Sequence, residues 1–297
     1  MQAIKVMSWA ALAMVIALAA CDSAKPAGVS PDLKSGTVAV DGGSLYYETL
    51  GKGAPVILIH GGFGDRRMWD PQFEPLSQAF RVIRYDHRGF GKSSPPTQAY
   101  SPVADLVKLM DHLELKRANL VGNSMGGTLA LDFALRHSDR TGAVVVVASA
   151  AGGYPAPEED MKSVDEVLRT ARDKGTAAAV PLWLRHPMVG IAIQHPTAGP
   201  LLRTMVDDNQ RMFVAEHWPQ EPMSPPAYDR LGDLNANVLF VVGDRDIASV
   251  RNGADASAAR IKKAKVVTIK DADHLLHMEK PAEINKLLVE YISLNGC

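Results

Sequence analysis

Short apolar runs recur along this chain, separated by stretches in which apolar residues return every three or four positions. The runs are Val56–Ile59, Val82-Ile83, Ala118–Val121, Ala143–Val147, Val238–Val242 and Val266–Ile269. They are unbroken and rich in β-branched residues, which suits strands covered on both faces, as in a parallel sheet. Ahead of them, Thr37–Val40 and Leu45–Leu50 flank the turn signal Asp41-Gly42-Gly43 and predict a hairpin.

Between the runs the period changes to that of a helix. Ser101 is placed to cap a helix that Pro102 opens, with Val103, Leu106, Val107, Met110 and Leu113 on its apolar stripe. Ser124 to His137 carries Leu129, Ala130, Phe133 and Ala134 on one face, and Pro281 opens a last helix with Ile284, Leu287, Leu288 and Tyr291. Strands alternating with helices predict an α/β class, with a mostly parallel central sheet and helices on both faces. From about residue 152 to 233 the rhythm breaks. That stretch has two or three helical patterns, no strong strand, and prolines clustered from Pro219 to Pro226. It reads as a small helical cap inserted over the carboxyl edge of the sheet. The core is then 37–151 and 234–297.

The first residues follow other rules. Lys5 precedes an apolar run, Val6 to Ala20, broken by Ser8. The run is too short to cross a bilayer comfortably and suits the apolar part of a secretory signal, assigned to residues 1–20. Leu18-Ala19-Ala20-Cys21 resembles the lipobox of bacterial lipoproteins. That resemblance implies cleavage before Cys21, a lipid on its thiol, and an exported chain anchored on the periplasmic side of a membrane. Asp22 resembles an inner-membrane retention signal. Ordinary cleavage after small residues, leaving a soluble periplasmic protein, is the alternative. Residues 21–36, rich in Ser, Pro, Gly and Lys, read as a tether. Cys21 and Cys297 are the only cysteines, so an acylated Cys21 leaves no internal disulfide.

Composition narrows the partners. The 297 residues are 46% hydrophobic with a formal net charge of -1, ordinary for a globular protein. There is no basic footprint for nucleic acid and no polybasic stretch for anionic lipid. A small-molecule substrate is expected.

The strongest chemical signal is Gly122-Asn123-Ser124-Met125-Gly126-Gly127, between an apolar run and a helical pattern. That context suits a nucleophile on a tight strand-to-helix turn, its flanking glycines letting strand and helix approach closely. The helix N-terminus would then favour negative charge developing at the serine. A serine hydroxyl needs a base, and the base needs a carboxylate to hold one tautomer.

Residues from about 37 to 293 resemble the α/β-hydrolase superfamily, on four motifs in family order. Besides the serine turn these are His60-Gly61-Gly62-Phe63-Gly64, Tyr85-Asp86-His87-Arg88-Gly89-Phe90-Gly91-Lys92-Ser93, and Asp273-His274 followed by His277, Glu279 and Pro281. The resemblance implies Ser124 as nucleophile, His274 as base and Asp246, three residues after Gly243, as the acid. His277 is the competing base and Asp244 the competing acid. The oxyanion donors implied are the backbone N–H groups of Met125 and Gly62, with Phe63 the alternative to Gly62. His60, Asp86 and Arg88 are implied as structural.

The resemblance is nearest to small carboxylesterases and lactonases, including enol-lactone hydrolases, and implies no cofactor. Carbon–carbon bond hydrolases, cofactor-free haloperoxidases and acyltransferases share the triad, and a non-catalytic binding lipoprotein is a further alternative. A zinc enzyme lacks support, since no H-E-x-x-H or cysteine pair occurs. Trp183, Leu184, Met188, Met205, Met212, Phe213 and Trp218 of the cap are candidates to line an apolar pocket. Arg185, Arg203 and Arg211 are candidates to bind a substrate carboxylate.

Overall fold

In the computed structural model, which describes residues 32–213 and 223–297, the apolar runs pair into one eight-stranded sheet. The strands are β1 (Lys34–Val40), β2 (Gly43–Leu50), β3 (Pro55–Ile59), β4 (Arg81–Tyr85), β5 (Ala118–Asn123), β6 (Thr141–Val147), β7 (Val238–Gly243) and β8 (Ala264–Ile269). Their order across the sheet is β1-β2-β4-β3-β5-β6-β7-β8. The β1–β2 hairpin joins β4 antiparallel, and every pairing from β4 through β3 to β8 is parallel.

The period of two sorts side chains between two cores. Val56, Leu58, Val121, Val145 and Leu239 face a cluster with Phe73 and Leu76 of α1 (Asp70–Ser77). Ile57, Ile59, Leu120, Val144 and Phe240 face the opposite cluster, with Leu106 of α2 (Pro102–His112) and Phe133 of α3 (Met125–Arg136). The predicted cap of Ser101 forms, its side chain accepting from Ala104 N–H at 3.2 Å. β5 is buried at all six positions, as a central parallel strand must be.

Between β6 and β7 lie α4 (Glu158–Lys174), α5 (Thr176–Trp183), α6 (Ala198–Asp208) and the short α7 (Ala227–Arg230). Val167, Ala171, Trp183, Leu202 and Met205 of these helices are buried in one continuous cluster with Leu58, Met68 and Leu275. Full burial of a Val, Leu or Met side chain contributes roughly 1.5–3 kcal/mol. After β7 come α8 (Ala248–Ala258), then β8, α9 (Leu276–Glu279) and α10 (Pro281–Asn295). α8 joins the α2–α3 face through Ala254, and α10 joins the α1 face through Ile284, Leu288 and Ile292. The architecture expected from the sequence, a mostly parallel sheet with helices on both faces and a helical segment after β6, is the one observed. The signal region and Cys21 lie outside the described residues, as does Trp218. β1 begins at Lys34, inside the stretch read as a tether.

Candidate active site

The turn after β5 is built by its neighbours. Ser124 has φ 50° and ψ −118°, a conformation that side chains with a Cβ avoid. Its own N–H donates to Val147 O at 2.9 Å, and its carbonyl accepts from Gly127 and Thr128. A Cβ on Gly122 would stand 2.1 Å from Gly126 O, and one on Gly126 would stand 2.3 Å from Ile59 O. Only hydrogen fits at either position, so the motif's glycines are a packing necessity. Gly61 is held as tightly, since a Cβ there would meet Asn123 Oδ1 at 2.6 Å and Ser124 Cβ at 3.2 Å. The loop after β3 is thereby brought against the serine turn.

That loop is fixed by His60. Its Nδ1 bonds Gly61 O at 2.7 Å and its Nε2 accepts the His87 N–H at 2.9 Å, an arrangement that requires the neutral ring. Burial lowers its pKa, outweighing the opposing pull of Asp86. Asp86 accepts from the Arg66 guanidinium at 2.9 Å and from Lys92 N–H at 2.8 Å, while Arg88 pairs with Asp105 at 2.6 Å. All three residues hold turns together.

At the end of β7, Asp246 is buried. Its Oδ1 accepts from Ile247 N–H at 2.8 Å and its Oδ2 lies 2.9 Å from His274 Nδ1. Asp244 instead sits 3.8 Å from Arg245 and has no contact with the histidine. Asn123 ties the two loops, donating to Val147 O at 3.3 Å and to His274 O at 3.2 Å. His277 is fully buried, its ring stacked on Trp69 with centroids 4.3 Å apart. Burial, aided by His274, pushes its pKa down to about 3. It lines no cavity with Ser124.

Ser124 and His274 line one cavity of about 230 Å³, together with Gly62, Phe63, Asn123 and Met125. The Ser124 hydroxyl makes no hydrogen bond among the described residues and shares the cavity with His274. The backbone N–H groups of Gly62, Phe63 and Met125 are likewise unspent, and Met125 opens α3, whose N-terminus favours anionic charge. Trp183 and Met188 reach this cavity. Leu184, Met205, Met212 and Phe213 do not: Met205 and Met212 are buried, and Phe213 stacks behind Phe63 with centroids 4.9 Å apart. None of Arg185, Arg203 and Arg211 lines it, and Arg211 donates to Gly89 O at 2.6 Å instead.

Several residues of the cavity wall went unnoticed in the sequence. Met161, Val164 and Leu202 complete the cavity wall. Beneath the histidine loop, Glu279 Oε2 accepts from Asp273 N–H at 2.9 Å, and Asp273 Oδ2 accepts from Ile191 N–H of the cap at 2.7 Å. Burial, reinforced by the neighbouring Asp273 carboxyl, holds the Glu279 proton well above the usual carboxylate range. Among the described residues no cluster of side chains suits a metal ion.

The family profile described as "alpha/beta hydrolase fold" matches residues 54–281. The chain belongs to the α/β-hydrolase family. A relative from Caulobacter vibrioides named "Putative carbamate hydrolase RutD" is 31% identical over 273 residues, covering 85% of this chain and 96% of its own. A thermophilic esterase from Thermogutta terrifontis superposes with a TM-score of 0.74 at 29% identity, over 88% of this chain and 98% of that one. The enol-lactonase from Burkholderia xenovorans LB400 superposes with a TM-score of 0.74 at 25% identity, over 87% and 100% respectively. This α/β-hydrolase is therefore an enzyme, a hydrolase with esterases and lactonases among its structural neighbours.

Proposed function

We propose that this chain hydrolyses a carboxylic ester or lactone through an acyl-enzyme on Ser124. The observation that carries the reading is the buried His274–Asp246 contact of 2.9 Å, with His274 lining one cavity with Ser124. In the first step Ser124 Oγ bonds to the substrate carbonyl carbon as His274 Nε2 takes its proton. The oxyanion is held by the N–H groups of Met125 and Gly62, each donor of this kind being worth about 10²–10³ in rate. The carbon–oxygen bond to the alcohol breaks as His274 returns the proton to it. In the second step water, deprotonated by His274, bonds to the acyl carbon, and Ser124 leaves with the proton. Asp246 orients the ring and stabilises its charged form throughout.

The carbamate activity in the RutD relative's name has less support here. A free carbamate is an anion, and the described cavity wall offers it no Lys or Arg. The test is turnover of p-nitrophenyl butyrate by the purified protein beside Ser124→Ala. A loss on the order of a thousandfold supports acyl transfer at Ser124, and equal activity of the two proteins refutes it.

We further propose that residues 1–20 direct export and that Cys21 is lipidated, placing the enzyme at the periplasmic side of a membrane, with Asp22 favouring the inner one. Cys21→Ser should move the protein from the membrane to the soluble fraction. Unchanged fractionation would refute the anchor.

A further inference from the structure

Ser124 stands where two cavities meet. One is the more enclosed of the two, a cavity of about 230 Å³ walled by Phe63, Val164, Trp183 and Leu202. The other is a groove of about 350 Å³ open to solvent, walled by Ala148, Ala150, Ala151 and Ala156 beside Tyr154, Ile247 and Val250. Ser124, Met125, Met161, Met188 and His274 belong to both. Beyond these the two share nothing, so a substrate whose carbonyl carbon sits at Ser124 has one arm for each.

We propose that the enclosed cavity holds the acyl arm, that the open groove holds the alcohol and afterwards admits water, and that the acyl arm is uncharged. This rests on the acyl-enzyme reading above. The assignment follows from what each half of the substrate must do. Deacylation is acylation run backwards with water in place of the alcohol, so water must reach the place the alcohol has left, beside His274. That place has to communicate with solvent, and the groove does. The acyl group stays covalently on Ser124 meanwhile and gains from a dry enclosure.

Chemistry sets the class of acyl group. Among the described residues, no Lys, Arg, Asp or Glu lines either cavity. A carboxylate on the acyl arm would lose its water and find no cation. Beyond the reacting groups and backbone, the polar atoms in the enclosed cavity are neutral. They belong to the Asn123 and Trp183 side chains, neither of which ionises. Met68, Met125, Met161 and Met188 give this wall four unbranched, adaptable side chains, suited to a linear acyl chain taken up in more than one length. The volume lies below the roughly 300–1,000 Å³ common for drug-sized ligands, which limits that length.

The experiment measures kcat/KM of the full-length protein on p-nitrophenyl acetate, butyrate, pentanoate, hexanoate, octanoate and decanoate, on the p-nitrophenyl monoester of glutaric acid, and on ethyl and benzyl hexanoate. Each methylene that fits should raise kcat/KM roughly fourfold, up to a length at which the gain stops. The glutarate monoester should fall on the order of a hundredfold or more below the pentanoate. Leu202→Trp, in the enclosed wall, should lower the hexanoate-to-acetate ratio about tenfold. Ala156→Trp, in the groove, should leave that ratio within about twofold and raise ethyl-over-benzyl discrimination among hexanoates instead. Because these are ratios within one preparation, a partly folded variant does not distort them. A ratio that answers to Ala156→Trp and ignores Leu202→Trp overturns the assignment, as does a glutarate monoester hydrolysed as fast as the pentanoate. Either result leaves the esterase reading standing. Ester hydrolysis that survives Ser124→Ala unchanged overturns both.

Discussion

Replacing Asp246 with Asn tests the proposed triad, because the surroundings dictate how the new amide must sit. In the native site Ile247 N–H donates to one carboxylate oxygen at 2.8 Å, and His274 Nδ1 faces the other at 2.9 Å. An asparagine satisfies Ile247 only by turning its carbonyl oxygen that way, which aims its NH₂ at His274 Nδ1. The ring must then accept at Nδ1 and carry its proton on Nε2, where it cannot receive one from Ser124. The reversed amide leaves two buried donors opposed at Ile247, at a cost of about 1–3 kcal/mol. Losing the charge-assisted bond to the imidazolium removes about 1.5–3 kcal/mol more. Together these raise the barrier by about 2.5–6 kcal/mol, a loss of roughly 10²–10⁴ in kcat. KM should hardly move, since Asp246 touches no part of the bound ester. Steady-state hydrolysis of p-nitrophenyl butyrate reads the rate, and nitrogen NMR of His274 reads the tautomer. A loss under about tenfold, or a ring still protonated on Nδ1, would refute the reasoning. Asp244→Asn is the control and should stay within about twofold of the parent, because its carboxylate pairs with the exposed Arg245 and not with His274.

Two further outcomes follow from packing and from protons. Gly126→Ala forces a methyl to within 2.3 Å of Ile59 O, so the turn or the strand must shift. Destabilisation of about 1–3 kcal/mol and a melting temperature lower by roughly 2–10 °C are expected. Thermal unfolding followed by circular dichroism measures it, and an unchanged midpoint would show that the contact relaxes freely. For Glu279 the sign is set by its raised pKa. From about pH 4.5, where the unfolded chain releases this proton, up to about 9, where the folded one does, the native state holds the extra proton. Stability therefore falls as pH rises through that window. Glu279→Gln cannot ionise and should show a shallower decline in melting temperature across it. Identical slopes would remove Glu279 as the source.

Residues whose roles are set by their immediate neighbours could be read from the chain. The glycines around Ser124 and the Asp-His pair after β8 sit on short turns whose geometry the adjoining strands decide. The cavity wall could not be read so. Met161 and Val164 stand on α4, and Leu202 on α6, at positions where helical spacing marks an apolar face. Spacing cannot say whether that face meets other side chains or open space. Met205 and Phe213 have the same character and went to the core. The start of β1 was hidden for a different reason: Lys34, Ser35 and Gly36 belong to an edge strand, exposed enough to resemble a linker. His274 and His277 are both buried and differ in what they meet, Asp246 and the cavity for the first and Trp69 for the second. The Asp273–Glu279 contact likewise depends on a distance that spacing does not give.

The backbone at Ser124 has a consequence for how this enzyme can change. With φ at 50° and ψ at −118°, the residue occupies a conformation that costs about 1–3 kcal/mol for anything but glycine. The geometry belongs to Gly122, Gly126 and Gly61, and position 124 is a socket they hold open. A glycine at 124 would relieve the strain, so selection for stability alone would erase the proposed nucleophile. Exchange for cysteine or aspartate would leave the socket intact. New reactivity is thus one substitution away at 124, whereas a change at 122 or 126 threatens the turn itself.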